Sequence, residues 1–248
     1  MRIGHRLGTR LPGGLAAGLA ALLLAGCSSA DDAPVAAASG SSTASSSAAP
    51  TSESRTGAQV AAAAADALEA AGSVHVSGTT GTGAEQQTLD LQLQGADVSG
   101  TITAGGQTVQ LLTVGGTSWF QGGADFWAGF GAPAEQAGEL AGRWVVVPPE
   151  QAAALDQLTL AGVAAELRDP SDGVLEDAVT TEQLDGAEVR VVTQADGSAL
   201  YVAAADPQVP LQIVDSGTDA GTLTFDRHGE TTAITPPADA LDLGQLGA

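Results

Sequence analysis

The chain has 248 residues, with eight arginines and no lysine against 29 acidic residues, for a formal net charge of −21. Nucleic acid binding and a polybasic grip on anionic lipid both draw affinity from clustered cations, so this composition excludes both. The single cysteine, Cys27, makes neither an internal disulfide nor a thiolate metal cluster. The length allows one domain with a sizeable core.

Residues 1–27 read MRIGHRLGTRLPGGLAAGLAALLLAGC. Arg2, Arg6 and Arg10 precede an apolar run from Leu15 to Ala25. That run is too short for the ~20 residues of a bilayer span but suits the core of an export signal. It ends in Leu24-Ala25-Gly26-Cys27, which resembles the bacterial lipobox. The resemblance implies cleavage after residue 26 and a diacylglyceryl thioether on Cys27, and two acyl chains give stable attachment where one is marginal. The expected location is the extracytoplasmic face of the cell membrane. Loss of residues 1–26 leaves five arginines against 29 acids, a net charge of −24. Repulsion from an anionic membrane would then help the domain stand off. Residues 27–56 are expected to be the acylated cysteine and a Ser/Ala/Pro tether with no large hydrophobe to bury. Its 28 residues from Ser28 to Arg55 give a root-mean-square reach of roughly 30 Å. Its composition suits O-glycosylation or a plain spacer.

Residues 57–248 read as a single folded domain. Thr56 is placed to cap a helix with Val60, Ala64, Leu68 and Ala71 on one face, and Gly72 ends it. The period then changes to alternation, predicting strands at 73–80, 88–94, 98–104, 107–114 and 117–121 with Gly-rich turns between them. In the second, Leu89, Leu91 and Leu93 share one face. Short helices are expected at 124–130 and 133–140, a strand at 143–147, and helical pieces at 150–155 and 159–167. Strands resume at 174–184, 187–194, 198–203, 209–215, 221–226 and 230–234, separated by turns such as Asp185-Gly186 and Asp196-Gly197. About a dozen strands in antiparallel meanders, with helices at the front and middle, define an α+β domain. The two strand blocks hint at an internal duplication, although they do not align convincingly.

Taken in order, the lipobox, the tether, AAAAADALEAAGSVHVSG, LDLQLQGADVSGTITAGGQTVQLLTVGGTSWF, ADFWAGF, GRWVVVPPE and LTFDRHGETTAITPPADALDL form a pattern. It resembles the actinobacterial lipoproteins grouped as LppX/LprAFG, whose fold is similar to that of the lipoprotein carriers LolA and LolB. The resemblance implies an antiparallel half-barrel wrapped around helices, with an apolar cavity for the acyl chains of a lipid or glycolipid. An envelope transporter would be a further partner. No short signature carries the ligand, so no binding residue transfers by position.

The residues bear on a cavity independently. Six of the eight aromatics fall between residues 119 and 144, and the rest of the apolar set is mainly Ala, Val and Leu. Trp119, Phe126, Trp127, Phe130 and Trp144 would either line the mouth of a cavity or plug the largest gap between sheet and helices. Leu89, Leu91, Leu93, Val109 and Leu111 mark a dry face that a ligand or the protein's own core covers. Nothing points to catalysis, a cofactor or a metal. His75 sits in a strand and His228 in a turn, with no nucleophile elbow nearby. Asp169, Asp172, Glu176 and Asp177 lack the spacing of a calcium loop and read as a solvated acidic turn. Two functions remain: a tethered lipid carrier, and a surface-anchored scaffold that binds an envelope protein without a lipid cavity.

Overall fold

The computed structural model describes residues 55–171, 173–217 and 220–242. Cys27, the expected export signal, the expected tether as far as residue 54, and Asp172 lie outside the described residues. Thr51–Ala248 forms one compact unit. Every described residue of the hydrophobic core belongs to it, so this unit holds the core that independent folding requires.

Helix α1 spans Gly57–Ala71. Its start is a reciprocal cap: the Gln59 backbone N–H donates to Thr56 Oγ1 at 3.3 Å, and the Thr56 N–H donates to Gln59 Oε1 at 3.0 Å. Gly72 ends it in the left-handed region at φ 72°. Strands β1 (Ser73–Thr80), β2 (Gln87–Gln94), β3 (Asp97–Ala104), β4 (Gln107–Val114) and β5 (Thr117–Gln121) follow as a meander. Short helices α2 (Ala124–Gly129) and α3 (Ala134–Leu140) lead to β6 (Trp144–Val146), which pairs with β5. After α4 (Pro149–Ala152), a 3-10 turn over Ala153–Leu158 and α5 (Leu160–Arg168), a second meander begins. It comprises β7 (Leu175–Leu184), β8 (Ala187–Gln194), β9 (Ala199–Ala203), β10 (Pro210–Asp215) and β11 (Gly221–Asp226).

The meanders join where β11 pairs antiparallel with β1, with His75 opposite Asp226 and Val76 opposite Phe225. A short strand β12 (Leu241–Asp242) completes a sheet of 12 strands, ordered β12-β6-β5-β4-β3-β2-β1-β11-β10-β9-β8-β7. The sheet is curved and unclosed. Its free edge at β7 carries Glu176, Asp177 and Glu182, charges of the kind that keep an exposed edge from pairing with another chain.

Alternation sorts the strands into two faces. Val74, Val76, Leu91, Leu93, Val98, Leu111, Val192, Leu200, Val202 and Phe225 point inward with the helices and form one buried core. Helix α1 lies in this concavity on a stripe of Val60, Ala61, Ala64, Ala65 and Leu68, all 0% exposed. Small side chains permit that depth. At Gly57 an added Cβ would lie 2.1 Å from the Glu176 carbonyl oxygen of β7, so a larger residue would hold the helix off the sheet.

One expected strand is absent. Residues 230–234 do not join the sheet, because β11 is already paired on both sides, by β1 and β10. The segment crosses the outer face instead, held by side chains. Ser73 Oγ donates to the Glu230 carbonyl at 2.8 Å, Gln92 Nε2 donates to the same oxygen at 3.2 Å, and the Gln94 amide bonds Thr232 N–H and C=O at 2.7 and 2.8 Å. The chain then reaches the other side of the sheet, where β12 pairs parallel with β6, Leu241 opposite Val145. On the strands that lie between these anchors in the sheet, outward-facing Leu112 and Trp119 are each only 8% exposed.

Leu68→Ala, at a position with no exposed surface, is expected to cost about 2–5 kcal/mol. Gly57→Ala should destabilise through the clash with Glu176. Both are read from the urea midpoint of residues 51–248, and a wild-type midpoint for either would contradict this packing.

Candidate ligand cavity

Helix α1 fills only part of the concavity. Over the remainder, α5 and the preceding 3-10 turn stand off the inner face and leave a cavity of about 700 Å³. The sheet wall comes from both meanders: Val76, Leu89, Leu91 and Leu93 from one, and Val192, Leu200, Ile213, Leu223 and Phe225 from the other. The helical wall is Leu158, Val163 and Leu167.

Local sequence sets that helical wall. Thr159 caps α5 by accepting the Gly162 N–H at 3.1 Å. Gly162 packs so close to the 3-10 turn that a Cβ there would lie 2.4 Å from the Asp156 carbonyl. On its far side α5 is fixed to α1 by Arg168, which reaches Asp66 at 2.7 Å and Glu69 at 2.5 Å. The bonds to Glu69 and then Asp66 hold the guanidinium above the ordinary arginine range, and the bond from Arg168 holds the Glu69 carboxyl below the ordinary glutamate range.

The lining is apolar in its depth and polar at its rim. Asp156, Gln157, Glu166, Asp169 and Ser171 line the cavity and are exposed, whereas Leu91, Leu93 and Leu200 are buried. Across the mouth, the sheet contributes Gln194, Ser198 and Asp215. Ser198 is held in a turn, its N–H and Oγ both donating to Asp196 at 2.9 and 3.0 Å. These bonds keep the Asp196 carboxyl below the ordinary aspartate range.

Of the residues picked out by sequence, Leu89, Leu91 and Leu93 stand in the cavity wall. Val109 and Leu111 share the inner face, but two strands further along, under α2 and away from the cavity. Phe126 reaches that point too, since a Cβ on Gly122 would meet its ring at 2.6 Å and Val109 at 3.1 Å. Phe126 packs edge-on against Phe120 at 5.8 Å and Trp127 at 4.9 Å, with Phe130 at 4.8 Å. The aromatic residues thus pack on one another, with Trp127 3% and Phe130 50% exposed. They do not line this cavity. Nor do Trp119 and Trp144: pairing with Leu112 and Gln121 places them on the outer face, because Phe120 between them points inward. Among the second-meander wall and the α5 rim, sequence singles out only Asp169, as part of a solvated acidic turn; Val192, Leu200, Ile213 and Leu223 each lie on a different strand, and only the pairing of β8 through β11 sets them side by side.

The outer face holds a separate cluster. His75 Nδ1 lies 2.7 Å from Asp226 Oδ1 and its Nε2 lies 3.1 Å from Asp90 Oδ1. Burial opposes ionisation of Asp226, but the bonds from His75 and Arg227 outweigh it and lower its pKa. Burial also lowers the pKa of His228, against a backbone bond at Pro210 and the charge of Asp226. Among the described residues, no group of three or more His, Cys, Asp or Glu side chains is placed to hold a metal ion. No described helix is long and apolar enough to cross a membrane.

No family model and no curated protein matches the sequence. Comparison of structures does find matches. The crystal structure of LprF from Mycobacterium bovis matches over 74% of this chain and 97% of its own, with a TM-score of 0.51 and 15% identity. The chain therefore has the LprF/LppX-type lipoprotein fold, a curved α+β half-barrel of the LolA kind.

The depressed pKa values of His228 and Asp226 act in the same direction on stability. The unfolded chain binds these protons more readily, so stability falls as pH falls. His228 contributes a loss beginning near the unfolded value of ~6.5, and Asp226 a further loss below ~3.9. His228→Gln should flatten the first limb and Asp226→Asn the second in urea midpoints measured from pH 8 to 3. A midpoint that rises on acidification through either window would contradict the assignment.

Proposed function

We propose that this protein is a membrane-anchored extracytoplasmic lipoprotein that binds, and carries, acyl chains of a lipid or glycolipid in the cavity between the sheet and α5. The observation that carries the reading is the cavity of about 700 Å³ with an apolar wall, a volume within the usual range for small-molecule sites. Burial supplies the affinity, at ~0.8 kcal/mol for each methylene removed from water. The sequence around Cys27 supports the anchor, and the fold shared with LprF agrees with both. A filled interior would have favoured the scaffold reading instead.

The proposal predicts that residues 51–248, incubated with membranes and repurified, show acyl-lipid adducts in native mass spectrometry that organic extraction removes. A clean apo mass would overturn it. Leu91→Trp and Leu200→Trp set an indole into the cavity and should reduce the adduct about tenfold or more, equivalent to ~1.4 kcal/mol. Phe126→Ala, outside the cavity, should destabilise the fold but leave capture by the remaining folded protein unchanged.

A further inference from the structure

We infer that the mouth of the cavity selects ligands by headgroup charge: Asp156, Glu166 and Asp169 form a negative rim that turns away anionic lipids, so the cavity takes acyl ligands whose headgroup bears no net negative charge. This inference rests on the acyl-binding reading and adds the class of ligand to it.

The rim is part of the cavity. All three residues line it and are exposed, whereas the leucines behind them are buried and the fourth lining carboxylate, Asp215, is half-buried on the sheet side. They come from consecutive pieces of the helical wall: the 3-10 turn, the last turn of α5 and the residue that follows it. A headgroup belonging to chains seated between α5 and the sheet therefore emerges beside them.

Glu166 is fixed in place without being neutralised. Its Oε1 accepts the Ser171 backbone N–H at 2.7 Å and the Ser171 hydroxyl at 2.8 Å, both uncharged donors. No cation offsets the rim. Among the described residues, no arginine lines the cavity, and the sequence has no lysine. Arg168, beside the rim in sequence, is turned to Asp66 and Glu69 on α1. A phosphate or carboxylate entering the mouth thus loses hydration against like charge and finds no charged partner. Hydroxyl-bearing headgroups meet carboxylate acceptors and the Gln157 and Gln194 amides. The negative charge of the rest of the domain has the same sign, but at physiological salt its influence is screened beyond about 8 Å, so the rim decides.

The test offers residues 51–248 equimolar vesicle lipids with identical dioleoyl chains: anionic phosphatidylglycerol and uncharged monogalactosyl diacylglycerol. Captured lipid is quantified by native mass spectrometry. The uncharged lipid should be in excess by about tenfold or more, the factor one screened charge contact supplies. The rim variant Asp156→Asn/Glu166→Gln/Asp169→Asn should bring the two within about twofold, by the loss of that contact. The control Glu182→Gln/Asp185→Asn/Glu188→Gln, at the exposed tip of the β7–β8 hairpin, removes equal charge and should leave the excess unchanged. Equal capture by the wild type, or a control as effective as the rim variant, would overturn the inference while leaving acyl binding intact. Capture of neither lipid by any variant would overturn the acyl-binding reading and the inference with it.

Discussion

The pairing of β1 with β11 is the contact on which the rest of the structure depends. Without it the chain is two hairpin meanders, each with one apolar face and no way to cover it. With it, Val76 and Leu91 on one side and Phe225, Leu223 and Ile213 on the other become neighbours on one concave wall. The pairing joins residues about 150 positions apart in sequence, so its entropic cost is a loop closure recovered only when the helices bury the wall it creates. The cavity is a consequence of the same event, because its sheet wall draws on both meanders.

The helices then divide the concavity between filling and roofing. The alanine stripe of α1 lets it sink against the sheet until nothing separates them. Helix α5 packs on α1, where Arg168 reaches Asp66 and Glu69, and a space remains between it and the sheet. Close packing is the ordinary state of a protein interior, and a void with leucine, isoleucine and phenylalanine walls leaves unspent apolar surface. On the proposed reading an acyl chain would supply what is missing, and the charged rim would act on the part of that ligand which the apolar wall does not touch.

Much of the fold was legible in the sequence because its contacts are local. Thr56 and Gly72 announce the two ends of α1, and the glycine pairs announce the hairpins, since these signals act within four or five residues. The dry face of β2 was legible from Leu89, Leu91 and Leu93 for the same reason. The segment 230–234 misled: it alternates like a strand, but whether a strand forms depends on a free neighbour, and β11 had none. Leu241–Asp242, too short to show a period, pairs because the strap delivers it to the open side of β6. Trp119 and Trp144 look like members of one aromatic group in sequence, yet the pleat sends them to the opposite face from Phe120.

By itself the sequence determined the cation-poor composition, the lipobox-like pattern ending at Cys27, the order of helices and strands as far as β11, and which residues of each strand share a face. These follow from residue chemistry and from backbone periods of 2.0 and 3.6. Only the tertiary structure decided which faces meet, that α5 rather than the aromatic segment roofs the cavity, and that Asp156, Glu166 and Asp169 stand at its mouth. Those outcomes turn on long-range pairing and on how closely each helix approaches the sheet. The close approach of Gly57 to the Glu176 carbonyl is one such distance, and no local pattern encodes it.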